Sequence, residues 1–358
     1  MLLTNPGGPG ESGVDFVRNM NDTNQATWGS NYDLVSFDPR GLYRSKPSAN
    51  CSSSSSRPSV SRRVTKLPGP EYPESYWNST FDNARALGDR CEATIGGKEQ
   101  AGPHMTTAVN ARDMVSIIDA FARTKAGQHI KDAMLLNYWG FSYGTFLGQT
   151  FASMFPDRVG RLVLDGNVDP EDYLHDYGAR DIVDTDAIIS TFFEYCHLAG
   201  PSKCSFHTGN TTQDIISRFY RSFTQLDAQR AERENWTNAT TIGKALIAFK
   251  RGLRGAMYIP IEGFPMIAQG LIALEQALQA NALALWTESI PTNPSPKEYL
   301  VGVGCSDGDG IFYNRTYEQL LPYINATKNA SITGDEWASF KLYCTQWSIK
   351  GVDIYKGK

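Results

Sequence analysis

A chain of 358 residues, 41% hydrophobic and 20% charged, has the make-up of an ordinary globular protein with room for a core domain and an accessory one. Its formal charge of −4 and a pI near 5.8 argue against nucleic acid or an anionic membrane as the main partner. No apolar run approaches the length of a transmembrane helix, and Met1-Leu2-Leu3-Thr4 is too short for the hydrophobic part of a secretion signal.

The chain opens on Leu2-Leu3-Thr4, which runs into the glycine-rich turn Asn5-Pro6-Gly7-Gly8-Pro9-Gly10 and a helix-like stretch over residues 11–17. Such a turn brings backbone N–H groups close to a substrate oxygen with no side chain in the way. Alone, it reads equally well as a flexible loop. Residues 32–41 form an apolar strand ending in the charged turn Asp38-Pro39-Arg40-Gly41. Ser52 to Ser56 and the prolines up to Pro73 make a polar insert, more in keeping with a solvated loop than with a site. Residues 107–124 place Ala111, Met114, Val115, Ile118, Phe121 and Ala122 along one face of a helix.

Residues 133–139 are a short apolar and aromatic run of the buried-strand kind, and they end on Gly140-Phe141-Ser142-Tyr143-Gly144. A G-x-S-x-G pattern is weak evidence in isolation, but here it stands between a strand and a helix. The helix carries Leu147, Phe151, Met154 and Phe155 at helical spacing, and Pro156-Asp157 stops it. A sharp strand-to-helix turn exposes its serine, and flanking glycines let the turn close. Ser142 is therefore the candidate nucleophile. The oxyanion donors expected with it are the backbone N–H of Tyr143 and one N–H from the glycine turn, assigned to Gly8. Residues 159–166 supply one more strand. The order of strand, glycine loop, helix, strand, helix, strand, elbow, helix and strand is that of a doubly wound parallel sheet.

In that arrangement an acid and then a histidine follow the serine along the chain. His175, His197 and His207 follow Ser142, but none has a late strand-to-loop context, while His104 and His129 flank the helix before the elbow. Asp165, just after a strand, is a weak candidate for the acid; Asp-Gly more often simply ends a strand in a turn. Residues 171–300 are read as a helical cap, with helices over 243–254 and 265–281, the latter showing Ile267, Leu271, Leu274 and Leu278 on one face.

Several segments together carry a resemblance. They are Asn5 to Gly10, Asp38 to Gly41, Thr106-Thr107 with Ala111-Arg112-Asp113-Met114, Gly140 to Thr145, Phe155 to Val159 and Val163 to Gly166. The chain resembles the tripeptidyl-aminopeptidase-like branch of the α/β-hydrolases, relatives of the proline iminopeptidases, over residues 1–170 and more weakly to Cys344-Thr345-Gln346-Trp347. The resemblance implies an α/β-hydrolase sheet, incomplete here, with a helical cap. It divides the chain into a core over 1–170, a cap over 171–300 and a cap end over 301–358 that leads towards a further core segment. By the same comparison the first two strands precede residue 1, and the triad Asp and His lie beyond the Cys-x-x-Trp segment. The implied activity is that of a secreted serine exopeptidase acting on peptides with a free N-terminus, without cofactor, and with this chain inactive for want of its acid and base. In such enzymes the cap presents carboxylates to the substrate amino group. Glu262, Glu275 and Asp307 are the candidates, although each reads more simply as a solvated surface charge. The alternatives are a carboxylic-ester hydrolase and a non-catalytic binding protein on the same scaffold.

Asn-x-Ser/Thr sequons occur at Asn21, Asn50, Asn78, Asn210, Asn235, Asn238, Asn314, Asn325 and Asn329, nine where composition alone gives roughly three. That excess suggests an extracellular protein. Six cysteines permit fifteen pairings; proximity together with the resemblance suggests Cys51–Cys91, Cys196–Cys204 and Cys305–Cys344. Cys196-His197 and Cys204 with His207 come nearest to a metal-ligand set, but the spacing is wrong for zinc and no metal is expected.

Overall fold

The computed structural model describes residues 1–20, 27–51, 74–175, 180–231, 241–282, 286 and 298–357. The polar insert over 52–73 and the sequons at Asn21, Asn235 and Asn238 lie outside them. Four strands form one sheet: β1 (Leu2–Asn5), β2 (Leu34–Ser36), β3 (Leu136–Phe141) and β4 (Val159–Asp165). Their order is β2-β1-β3-β4, and every pairing is parallel. Asn5 pairs with Gly140 and Phe141 with Asp165, so β1, β3 and β4 end side by side. The loops leaving those ends are thereby gathered at one edge, where parallel sheets bind their ligands.

Helices α1 (Gly13–Asn19), α3 (Thr107–Ala122) and α4 (Tyr143–Met154) accompany the strands. The Ser12 side chain caps α1 by accepting from the Asp15 N–H, and Thr106 caps α3 in the same way through Val109. Ala111, Met114 and Ile118 are fully buried as the periodicity requires, while Val115, Phe121 and Ala122 are half-buried. Ala111, Met114 and Ile118 share one core with Leu3, Leu136, Tyr138, Leu147 and Phe151, and Val115 packs against it. A long helix, α2 (Glu74–Ile95), had no counterpart in the sequence reading. Its composition is polar, and it is fixed from outside by Trp77, Leu87 and Cys91, which are buried against other elements.

Beyond β4 come α5 (Pro170–His175), α6 (Thr185–Ala199), α7 (Thr212–Ala231), α8 (Thr241–Tyr258) and α9 (Pro260–Gln279). The last two are longer than their apolar spacing indicated. Pro260, not Pro265, takes the first position of α9, where a missing N–H costs nothing. Then follow α10 (Glu298–Asp307), α11 (Tyr317–Ala330) and α12 (Gly334–Cys344). A second core, rich in aromatic side chains, joins Phe192, Phe219, Phe223, Phe249, Leu271 and Trp286. The two cores meet through the C-terminal part, because Val301, Cys305, Trp347 and Ile349 belong to the first while Leu320 and Leu342 belong to the second. The three disulfides are Cys51–Cys91, Cys196–Cys204 and Cys305–Cys344. Cys51–Cys91 ties the segment after β2 to α2, and Cys305–Cys344 ties α10 to α12.

Candidate active site

Ser142 stands between β3 and α4 with φ 52° and ψ −123°. A non-glycine residue there bears roughly 1–3 kcal/mol of backbone strain and persists only where its surroundings fix it. The fixing contacts come from three sides. The Ser142 N–H donates to the Asp165 carbonyl at 2.9 Å, the Thr145 hydroxyl donates to the Ser142 carbonyl at 2.6 Å, and the buried Tyr138 hydroxyl donates to the Gly144 carbonyl at 2.8 Å. Thr145 Oγ1 also accepts from the Val168 N–H, so the chain after β4 is pinned to the elbow. A Cβ on Gly140 would lie 2.4 Å from the Gly144 carbonyl oxygen, and one on Gly144 would lie 2.6 Å from the Asn5 carbonyl oxygen. Neither position tolerates a side chain.

The glycine turn lies against this elbow. A Cβ on Gly7 would come within 2.5 Å of the Phe141 carbonyl oxygen and 3.0 Å of Ser142 Cβ. Gly8, at φ +111°, would clash with its own loop instead, 2.7 Å from the Gly10 nitrogen. Gly7 is thus the residue whose missing side chain makes room for the serine. Its N–H is taken by Asn5 Oδ1 at 2.9 Å, whereas Gly8 lines the cavity in front of Ser142. Tyr143 opens α4, and the first amides of a helix have no acceptor within it. The far end of the turn is held by buried Asp38, which accepts from the Ser12 hydroxyl at 2.6 Å and from the backbone of Val14 and Arg44. Arg40, from the same motif, forms a forked pair with Asp113 of α3 at 2.7 and 2.8 Å.

Asp307 is not the surface carboxylate the sequence suggested. It is fully enclosed beneath the elbow, where Oδ1 accepts from the Thr107 N–H and Oδ2 from the Thr107 hydroxyl, both at 2.7 Å, and from the Tyr173 hydroxyl at 3.1 Å. Thr107 Oγ1 in turn lies 2.5 Å from the Tyr143 hydroxyl. Burial pushes the Asp307 carboxyl up to about 6 against the hydrogen bonds that lower it. Glu262 is exposed, and Glu275 is occupied by Arg218 at 2.5 Å and by Ser222. None of the three candidates lines the serine cavity.

That cavity, about 140 Å³, is lined by Gly8, Pro9, Ser142 and Tyr143 from the core and by Asp181, Arg254, Tyr258, Trp337 and Phe340 among others from beyond β4. A larger cavity, about 350 Å³, lies between α6 and α9 and holds no hydroxyl nucleophile beyond Tyr195. Asp181 went unnoticed in the sequence. Its signal was the acidic stretch after β4, Asp169, Glu171, Asp172, Asp176 and Asp181, which the cap reading passed over. Asp181 is exposed to solvent, yet surrounding protein and the carboxylates of Asp172 and Asp169 raise it to about 6, with Arg180 opposing. None of the five histidines lines the cavity. His104 faces the Lys98 carbonyl, His175 faces Glu171, and His197 stacks on His207 with ring centres 5.9 Å apart. Asp165 is exposed and accepts from the Trp139 indole N–H at 2.7 Å.

A parallel sheet, a strained serine at a strand-to-helix turn and an apposed glycine loop agree with the match of residues 1–187 to the alpha/beta hydrolase fold family. The chain belongs to the α/β-hydrolase family. Within it, the chain is 31% identical over 224 residues to the tripeptidyl aminopeptidase of Streptomyces lividans, covering 62% of this chain and 38% of that protein. It is 33% identical over 169 residues to the serine protease Hip1 of Mycobacterium tuberculosis, covering 47% and 29% respectively. A putative hydrolase of Escherichia coli, YuaR, is 26% identical over 166 residues, 46% of this chain and 28% of its own. The matched part thus spans about a third of the length of these relatives.

The raised Asp307 gives this α/β-hydrolase chain a testable pH signature. An Asp near 3.9 in the unfolded chain and about 6 in the fold contributes stability below pH 4 that is lost as pH rises through 6. Asp307→Asn removes that loss while keeping an acceptor for the Thr107 N–H. Thermal unfolding between pH 4 and 7 should show the variant gaining on the wild type as pH rises. A constant difference across that window would contradict the assignment.

Proposed function

We propose that the chain supplies the nucleophile and the oxyanion donors of a secreted serine exopeptidase that releases short peptides or residues from free N-termini. What supports this most is one cavity lined by the strained Ser142, the Gly8 loop, the start of α4 and a carboxylate, Asp181. The similarity to a tripeptidyl aminopeptidase and to a serine protease favours peptides over other acyl substrates.

In this reading Ser142 Oγ attacks the scissile carbonyl carbon as a base removes its proton. The N–H groups of Gly8 and Tyr143 stabilise the oxyanion that forms. The intermediate collapses with release of the amine, and water then cleaves the acyl ester. Asp181, ionised above pH 6, meets the substrate ammonium group and sets the distance from the N-terminus to the cleaved bond. A serine hydroxyl is a poor nucleophile without a base, and removing triad partners costs on the order of a millionfold. With no histidine at the cavity, residues 1–358 alone bind peptide without turning it over.

Calorimetric titration of the chain with a tripeptide amide and its N-acetyl form tests this reading. A lost charge-assisted hydrogen bond should weaken binding about tenfold or more on acetylation. Asp181→Asn should erase the difference, and affinity for the free amine should rise as pH passes 6. Equal binding of both forms, or steady turnover of a tripeptidyl chromogenic substrate, would refute it.

The compartment has its own support. Asn50, Asn78, Asn210, Asn314, Asn325 and Asn329, the six sequons among the described residues, are all exposed, and all six cysteines are in disulfides. Expressed through a secretory pathway, the protein should lose several glycan masses on N-glycosidase treatment and show no titratable thiol. An unchanged mass with six free thiols would overturn the extracellular assignment.

A further inference from the structure

Two hydrogen-bond donors at the wall of the Ser142 cavity have no acceptor. Arg254 Nε and Trp337 Nε1 are both buried and unpaired among the described residues, and both side chains line that cavity. Buried N–H groups are almost always paired in folded proteins, because an unmade bond forfeits the full cost of desolvation. Here the unpaired donors sit together on facing elements, one on α8 and one on α12.

The surroundings show how Arg254 is held with its Nε unpaired. Glu336, buried on α12, lies between two arginines, 2.7 Å from Arg251 Nε and 4.0 Å from Arg254 Nη2. Glu336 accepts a hydrogen bond from Arg251 and pairs more loosely with Arg254, whose guanidinium it orients by charge. Phe340 supports the guanidinium from one side, 5.9 Å from its ring centre, and packs edge-on against Trp337 at 5.8 Å. The result is a planar cationic group and an indole N–H, held by aromatic packing, with Asp181 also lining the cavity.

We propose that Arg254 and Trp337 form a carboxylate subsite that selects peptides with an acidic side chain in the segment to be released. A guanidinium edge matches a planar carboxylate with two parallel N–H bonds, which a single carbonyl oxygen cannot use fully. The indole N–H offers a further donor to the same group. This proposal rests on the exopeptidase reading of the cavity and adds to it a preference for substrate side chain.

The test is calorimetric binding of tripeptide amides with free N-termini, in pairs that differ only by Glu against Gln at each of the three positions. At one position Glu should bind about tenfold tighter than Gln, the scale of one charge-assisted pair. Arg254→Gln should abolish that preference, reducing Glu binding to the level of Gln, while an unchanged circular-dichroism spectrum and melting temperature show the variant is folded. Trp337→Phe, which keeps the ring and removes the N–H, should reduce the preference several-fold. Equal binding of Glu and Gln at all positions would overturn the subsite while leaving the exopeptidase reading standing. Equal losses for Glu and Gln peptides in Arg254→Gln would assign the donors to a backbone carbonyl and overturn the carboxylate preference. Failure of every peptide to bind would overturn the subsite and the exopeptidase reading together.

Discussion

The approach of the glycine turn to the elbow is the contact on which the rest of the site depends. Gly7 sits so close to Phe141 and Ser142 that a single methyl would overlap the Phe141 carbonyl oxygen. That closeness follows from the sheet. Because β1 lies beside β3 with Asn5 opposite Gly140, the chain leaving β1 must pass directly over the turn leaving β3. Parallel pairing and three glycines, at 7, 140 and 144, therefore bring the glycine turn and the serine elbow into contact before any side-chain chemistry is considered.

Buried carboxylates then fix what the sheet has brought together. Asp38 ties the far end of the glycine turn to the segment after β2 by way of Ser12 and the Arg44 backbone. Asp307 joins the end of α10 to the start of α3, and through Thr107 reaches the Tyr143 side chain. The two acids differ in kind. Asp38 has Arg44 beside it, whereas Asp307 has only neutral donors, and for that reason burial raises its carboxyl well above the ordinary range. Ionising a buried carboxyl without a countercharge is unfavourable, and Asp307 sits where α10 meets the start of α3.

The strands, the elbow and the glycine turn were legible because their signals are local. Apolar runs, glycine spacing and a stop at Pro156 all lie within a few residues of what they specify. The face of α3 through Ala111, Met114 and Ile118 was legible for the same reason. Asp307 was not, because nothing within its own helix distinguishes a carboxylate aimed at Thr107, two hundred residues earlier, from one aimed at water. Arg254 and Trp337 were hidden in the same way, since two donors on separate helices face one cavity only through the tertiary fold. Helix α2 escaped notice because it is polar by composition and takes its place from Cys51 and from contacts with α12.

The central claim is that Gly8 and Tyr143 present a preformed pair of donors to an oxygen bonded next to Ser142 Oγ. A crystal structure of the chain soaked with a short peptidyl boronic acid tests it most directly, because boron adds to a serine hydroxyl and gives a tetrahedral anion. The account predicts a covalent bond from Ser142 Oγ to boron, with one boronate oxygen about 3 Å from both the Gly8 and Tyr143 nitrogens. A boronate oxygen turned to solvent with those amides unengaged, or an adduct on another hydroxyl, would contradict it.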